Sequence, residues 1–166
     1  MIIVGLAIFV DPQTLAQDQQ PFRVGSNEAA WSDPVIIYEQ FPGSFGRYPT
    51  LASDPFGNIH TIWYVQYKET DDTTAGFYSR WDGREWTPAI DVLLSPNGDR
   101  GAVPTFAVDA VGRLHAVWSG NNPYSLYYSW AWFDQAHSAA NWSKVSRFSP
   151  KSSWPMIVAE GQDVLH

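Results

Sequence analysis

A short segment that occurs three times constrains the fold of this chain more than any other feature. Residues 49–63 read PTLASDPFGNIHTIW, and residues 104–118 read PTFAVDAVGRLHAVW. A third copy begins at Pro155 and reaches His166. Self-similarity at a fixed period is the signature of repeat architectures, in which each repeat is one supersecondary unit. The chain is therefore predicted to stack copies of one structural unit.

Each repeat unit predicts four short strands, which in the first unit cover residues 50–53, 59–66, 77–81 and 86–94. The second of these strands is rich in β-branched and aromatic residues, which favour strands. Gly57 accepts the positive φ that the turn after the first strand needs. Asp82-Gly83 is a hairpin signal before the fourth strand. Pro88 marks the fourth strand as an outer one, because proline cannot donate a backbone hydrogen bond.

Four antiparallel strands in a repeat of about 50 residues are typical of a β-propeller blade. We therefore expect an all-β chain, a β-propeller fragment with two complete blades at about residues 48–94 and 103–148. A third blade begins at residue 154, and an outer strand at residues 31–38 precedes the first blade. Propellers usually have about four to eight blades, so the remaining blades of the same propeller are expected partners. A β-sandwich is the alternative, although it does not require the same Asp-x-x-Gly turn in each unit.

The N-terminal region has the pattern of an export signal. Residues 2–10 are an apolar run, and Thr14-Leu15-Ala16 offers small residues for cleavage. We expect a signal peptide at residues 1–16, a polar linker at 17–30 and the partial propeller at 31–166, which implies a secreted or cell-envelope protein. The apolar run is shorter than the roughly 20 residues that a membrane span needs. No Lys or Arg precedes it, and a buried strand is the alternative interpretation.

The composition disfavours several classes of partner and cofactor. A net charge of -7 gives no basic surface to displace counterions from a nucleic acid or to bind an anionic membrane. The chain has no Cys, which excludes disulfides and Cys-ligated zinc. It also lacks a phosphate-binding glycine loop and a His-Glu-x-x-His motif, so no cofactor and no metal are expected. No sustained 3.6-residue apolar periodicity is present, so almost no helix is expected.

The predicted hairpin between the third and fourth strands carries a Ser, an Asp, a Gly and a Trp at Ser79, Asp82, Gly83 and Trp86. This arrangement resembles the Asp box, Ser-x-Asp-x-Gly-x-Thr-Trp, of the sialidase-like (BNR) β-propellers. The Ser, Gly and Trp align with that pattern, whereas the Asp is shifted by one place and Glu85 replaces the Thr. The second copy of the hairpin, at residues 129–142, is longer and divergent.

Residues 45–49 read FGRYP and are similar to the Arg-Ile-Pro motif of sialidases, with Tyr48 in place of the Ile. The resemblance implies that Arg47 binds a substrate carboxylate and that Asp71 or Asp72 occupies the place of the acid/base. The nucleophilic Tyr, its Glu partner and two further Arg lie in later blades of the family. The resemblance therefore implies a glycan-directed protein, either an exo-sialidase-like glycoside hydrolase or a carbohydrate-binding protein, of which this chain holds an incomplete site.

The repeat separates structural residues from candidate site residues, because every unit must solve the same packing problem. His60, His115 and His166 recur at one position of the repeat. We therefore expect these histidines to be structural, with a bond to a neighbouring blade. Asp54 and Asp109 recur before a glycine and are predicted to form turns.

Residues that differ between the units are the candidates for ligand contact. Arg47 aligns with Ala102 and Ser153, so the blade itself does not require it. An arginine suits carboxylate recognition because its planar fork bonds both oxygens. The candidates for ligand binding are Arg47, Tyr48, Arg100 and Trp154, and those for catalysis are Asp71 and Asp72. In a meander blade these loops share one face, so the six residues are expected near the central channel.

Two alternatives stay open at this point. The charged loop at residues 68–72 is typical of a solvated loop, and Arg47 can pair with a neighbouring carboxylate. The two complete units also resemble each other closely, which favours a non-catalytic repeat scaffold for protein interaction at the cell surface. Two blades leave a sheet face exposed on each side, which predicts aggregation or a swapped oligomer.

Overall fold

The computed structural model describes residues 33–39, 42–67, 75–96, 101–121, 124–162 and 164–166. The chain divides into two compact units, Met1–Val35 and Ile36–His166. All the sheets described below belong to the second unit. In the described residues helical structure is limited to 3-10 geometry, at Pro96 and at Ala139–Asn141, which agrees with the expectation of almost no helix.

Two four-stranded antiparallel sheets contain most of the described chain. The first sheet runs in the order β1-β2-β3-β4, with strands at Ser44–Ser53, Ile59–Tyr67, Ala75–Trp81 and Ile90–Leu93. The second sheet repeats this order as β5-β6-β7-β8, with strands at Gly101–Val108, Arg113–Asn121, Tyr124–Trp132 and Ser146–Ser149. A two-stranded antiparallel sheet follows, β9 at Ala159–Glu160 and β10 at Val164–Leu165. The all-β class and the four antiparallel strands per complete unit are confirmed.

The strand bounds differ from the sequence prediction at both edges of the first sheet. The first strand begins at Ser44 rather than at Thr50, because a bulge lets pairing with β2 continue on its far side. The fourth strand is shorter than predicted, and Trp86 joins the sheet through an isolated bridge to Trp81. Pairing resumes at Ile90 after Pro88, which has no backbone N–H to donate.

The bulge in the first strand is a repeated feature of the backbone. Tyr48, Val103 and Trp154 each precede the proline of the repeat, and each has a positive φ, of 53°, 49° and 58° respectively. The register of the pairing shifts at this point in β1 and again in β5. A left-handed conformation is costly for a residue with a Cβ, and most of all for a β-branched one such as Val103. Pairing on both sides of the bulge holds Tyr48 and Val103 in this strained conformation, and Trp154 adopts it in the third unit.

The turn between the first two strands of each sheet is built around an aspartate. In the first sheet, the carboxylate of Asp54 accepts hydrogen bonds from the backbone N–H groups of Phe56 and Asn58, both at 2.9 Å. In the second sheet, Asp109 accepts in the same way from Val111 at 3.0 Å and Arg113 at 2.8 Å. These bonds confirm that both aspartates form turns, because the carboxylate of a short Asp side chain can accept hydrogen bonds from the backbone N–H groups of its own loop.

A hydrophobic core lies between the two four-stranded sheets. The first sheet contributes apolar side chains at alternate positions of its strands, and the second sheet contributes a larger set that includes a tryptophan. The main members are Ile62, Tyr78, Val92, Leu93, Phe106, Leu114, Trp118 and Tyr127. Full burial of one such aliphatic side chain is worth about 1.5–3 kcal/mol. This core holds the two sheets face to face.

Candidate functional site

Each four-stranded sheet, with the turn after its first strand, contains three hydrogen-bonded polar side chains, an Asp, a His and a Tyr, which we call a triad. In the first sheet, Nδ1 of His60 lies 2.7 Å from the hydroxyl of Tyr78, and its Nε2 lies 3.2 Å from Oδ2 of Asp54. In the second sheet, His115 makes the same two contacts, at 2.8 Å to Tyr128 and 3.2 Å to Asp109. The partners of each histidine belong to its own sheet, so the expectation of a bond to a neighbouring blade is wrong.

The protonation of the first triad follows from its geometry. An ionised carboxylate only accepts hydrogen bonds, so Nε2 of His60 donates to Asp54, and Nδ1 accepts from the hydroxyl of Tyr78. Burial is the main cause that lowers the pKa of His60, and it outweighs the opposing effect of Asp54. Burial also raises the pKa of Tyr78. Both side chains are therefore neutral at pH 7, as this hydrogen-bond pattern requires.

These triads are structural rather than catalytic. In the first triad His60 is fully buried and Tyr78 and Asp54 are also buried, so no substrate reaches that triad. The same three residue types occupy the same positions in both sheets, as a shared packing solution predicts. The third unit keeps a related pair, in which Nε2 of His166 lies 3.1 Å from Glu160.

The candidate binding surface lies at the repeated left-handed residue before the proline of each unit. The rings of Tyr48 and Trp154 meet edge to face, with centroids 5.9 Å apart and planes at 85°. Their side chains are 41% and 68% exposed. Tyr48 lies in β1, whereas Trp154 lies just before β9. Residues far apart in sequence thus form one exposed aromatic surface, which we call the aromatic pair.

Arg47 precedes Tyr48 in β1 and carries its positive charge at the surface. Its guanidinium carbon lies 4.4 Å from the centroid of the Phe45 ring, a distance typical of a cation–π contact. Arg47 is exposed, and no carboxylate in the described ranges forms an ion pair with it. An exposed guanidinium held against a ring keeps its hydrogen-bond donors free for an anionic ligand.

Trp154 also lines an apolar cleft of about 570 Å³. One wall of the cleft is the second sheet, and the other is the segment before β9 together with β10. Its main lining residues are Val117, Leu126, Tyr128, Phe148, Trp154 and Met156. Concave, mostly apolar surfaces with a few polar groups are the usual form of small-ligand sites. Trp154 therefore belongs both to the aromatic pair and to the wall of a cleft of ligand-binding size.

The structure brings together only part of the set of site residues predicted from the sequence. Tyr48 and Trp154 are in contact, and Arg47 is exposed and adjacent to Tyr48 in the chain. Asp71, Asp72 and Arg100 lie outside the described residues. Sequence reasoning missed the cleft and the left-handed backbone at its edge. The dipeptide of a variable residue followed by proline recurs in all three units, but by itself it favours extended backbone and so did not indicate this conformation.

The described residues contain no group of three or more His, Asp or Glu side chains placed to hold a metal ion. No helix in the described ranges has the length and apolar character needed to cross a membrane.

Comparison with known proteins gives no family assignment, because no family model and no curated protein matches the chain. The fold defines the chain as an all-β repeat protein with four-stranded meander sheets. The resemblance to sialidase-like propellers rests on the residues quoted from the sequence.

Proposed function

We propose that this chain is part of an exported, sialidase-like β-propeller whose inner-strand surface binds carbohydrate. In this proposal the two four-stranded sheets are successive blades, and the two-stranded sheet begins a third. The repeated strand order and the core between the sheets support the proposal, since propeller blades are four-stranded meanders that stack face to face.

Equivalent hydrogen bonds in the β3–β4 and β7–β8 hairpins support the proposal that the two sheets are equivalent blades of one propeller. The hydroxyl of Ser79 donates to the carbonyl of Thr87 at 2.7 Å, and Ser129 donates to Ser143 at the same distance. In the first hairpin, the carboxylate of Asp82 accepts from two backbone N–H groups of its own turn, at 2.9 and 3.0 Å. Ser79 and Asp82 belong to the pattern that resembles an Asp box. The hydrogen bonds of both residues stabilise the hairpin, which explains why the pattern has a Ser and an Asp at these positions.

The observation that carries the proposed function is the exposed aromatic pair, with the exposed Arg47 next to Tyr48 in the chain. A sugar presents an apolar C–H face that suits aromatic rings, and an acidic sugar adds a carboxylate. The guanidinium of Arg47 can bind both oxygens of that carboxylate, and such charge-assisted bonds are the strong ones. The geometry therefore favours an acidic sugar, such as a terminal sialic acid, over a neutral one.

Isothermal titration of the whole chain with a sialoside and with the matched asialo glycan tests this proposal. We expect binding of the sialoside only, with affinity reduced about tenfold or more by Arg47→Ala, since a hydrogen bond to a charged group is worth about 1.5–3 kcal/mol. Arg147→Ala is the matched control, because Arg147 is an exposed arginine on β8. Equal binding of both glycans, or equal effects of the two substitutions, would contradict the proposal.

A non-catalytic repeat scaffold is the second candidate, and the uniformity of the two sheets favours it. The buried triads and the aspartate turns recur without distortion, whereas an enzyme usually distorts some blades around its pocket. Hydrolysis of a fluorogenic sialoside by the full-length protein, with its later blades present, separates the two candidates. In the catalytic version, Asp71→Asn or Asp72→Asn abolishes turnover but retains binding, and in the scaffold version no turnover occurs.

A further inference from the structure

Only three described residues other than glycine have a positive φ, and all three occupy one position of the repeat. They are Tyr48, Val103 and Trp154, each directly before the proline of its unit. In both complete sheets this residue and the proline lie opposite a single residue of the neighbouring strand, which is Trp63 in the first sheet and Trp118 in the second. This arrangement is a β-bulge, a feature that re-aims a side chain and is frequent next to active sites.

The backbone does not require a side chain at this position. Glycine is the usual residue in a bulge with a left-handed residue, because it has no Cβ to clash. A tyrosine, a valine and a tryptophan stand here instead, and the conformation is most costly for the β-branched valine. Glycine would form the same bulge without that strain. The side chains are therefore retained for a reason other than the fold of the strand, and strain of this kind is concentrated at ligand sites.

Packing within the repeat does not supply that reason. Among the described residues, the core between the two sheets includes none of the three. Tyr48 and Trp154 are exposed, and Val103 is half-buried. A shared packing solution also requires the same residue types in each unit, as in the two triads, whereas this position differs in type and size from unit to unit. A constant backbone with a variable side chain indicates a position that contacts a ligand rather than the repeated fold.

The three left-handed residues lie on neighbouring parts of the structure. The rings of Tyr48 and Trp154 are in contact, which joins the first unit to the third. Tyr48 lies on β1 and Val103 on β5, and these two strands are neighbours across the interface between the sheets. The middle unit therefore places its own left-handed residue on the strand next to that of Tyr48.

We infer that Val103 is a further ligand-contact residue of the proposed carbohydrate site, so that each of the three units contributes its left-handed residue. The inference rests on the proposed function. The side chain of Val103 has no hydrogen-bonding group, so it contacts an apolar C–H part of the glycan, and its size sets how much of the glycan surface the second unit covers. An aromatic ring at this position therefore binds the same glycan more tightly than valine does, because it covers more apolar surface.

Two substitutions at Val103 and one control test this inference. Val103→Gly removes the side chain and retains the bulge, since glycine readily adopts a positive φ. Val103→Tyr introduces the residue type that occupies the same position in the first unit. Val111→Gly is the matched control, because it removes the same kind of side chain from the turn between β5 and β6. Circular dichroism checks the fold of each variant.

Isothermal titration of the whole chain with the sialoside gives the readout. We expect Val103→Gly to weaken binding about fivefold and Val103→Tyr to strengthen it about threefold, whereas Val111→Gly stays within about twofold of the wild type. A purely structural role of Val103 gives no tighter binding with a larger side chain, so Val103→Tyr decides the outcome if Val103→Gly does not fold.

Unchanged or weaker binding by Val103→Tyr, or wild-type affinity in a folded Val103→Gly chain, would overturn the inference and leave the proposed function standing. A wild-type chain that binds no sialoside would overturn both.

Discussion

Gly101 provides the sharpest test of how the two sheets pack. It begins β5, and a Cβ placed on it would lie 1.4 Å from the hydroxyl oxygen and 2.5 Å from the Cζ of Tyr64. A Cβ would also lie 2.9 Å from Oγ of Ser95. Tyr64 lies on β2 and is only 2% exposed, so its ring cannot move aside into solvent. Gly101→Ala must therefore displace the ring or the strand.

The expected cost of Gly101→Ala is about 1–3 kcal/mol of unfolding free energy, the usual range for overpacking a filled core. Gly46 is the matched control, because it holds the same position of the repeat in the first sheet. A Cβ at Gly46 would lie 3.4 Å from the nearest atom of Trp63, which is close to ordinary contact. Gly46→Ala should change stability by less than about 1 kcal/mol, since alanine also reduces the entropy of the unfolded chain.

Urea unfolding followed by tryptophan fluorescence measures both free energies, with circular dichroism as a second probe of two-state behaviour. Tyr64→Phe in the Gly101→Ala background removes the closest clashing atom, so the double variant should lose less stability than the sum of the single variants. Equal effects of Gly101→Ala and Gly46→Ala, or strict additivity with Tyr64→Phe, would refute the proposed packing of Tyr64 on Gly101.

Four further predictions concern the triad and the bulge. The pKa of His60 is lower in the fold than its ordinary value of about 6.5. The neutral imidazole of His60 therefore stabilises the fold fully above that pH, and this stabilisation is lost as the pH falls towards the folded pKa. A urea midpoint that stays constant from pH 7.5 to 5 would exclude this pH dependence. Burial alone would raise the pKa of Asp54, but its hydrogen bonds lower it on balance, so a second loss should follow below about pH 3.9, visible as a steeper fall of the midpoint. Tyr78→Phe leaves a buried nitrogen of the His60 imidazole without its hydrogen-bond donor, so the free energy of unfolding should fall by about 1–3 kcal/mol in the same urea assay. An unchanged free energy of unfolding would count against the hydrogen-bonded triad. Val103→Gly relieves the strain of the left-handed backbone, so it should lower the free energy of unfolding by clearly less than Val108→Gly in the same strand. A larger loss for Val103→Gly than for Val108→Gly in thermal melts would argue against strain at Val103.

The repeat in the sequence was sufficient to predict the strands, because strand order within a unit depends on local turns. Asp54 and Gly57 specify the first turn without reference to the rest of the chain. The bulge at Tyr48 was not predictable in this way, because a residue before proline favours extended backbone. Pairing of β1 with β2 on both sides of the bulge overrides that local preference.

The candidate site was predicted less completely than the strands. The sequence indicated Arg47, Tyr48 and Trp154 because their side chains differ between units, and the contact of the two rings adds a spatial relation that spacing alone does not give. The partners of the histidines were assigned to the wrong sheet. A strand position shows which face a side chain lies on, but the partner of His60 depends on the register between β2 and β3.

The central claim is that two equivalent sheets, each one unit of the repeat, stack face to face. Nuclear Overhauser effects between aromatic side chains of the two sheets measure this directly in solution. The structure places the ring of Tyr78 in the first sheet 6.4 Å from that of Trp142 in the second unit, and the rings of Phe56 and Phe133 4.9 Å apart. We predict cross-peaks for both pairs. Assigned ring resonances with no cross-peak for either pair would contradict the stacking.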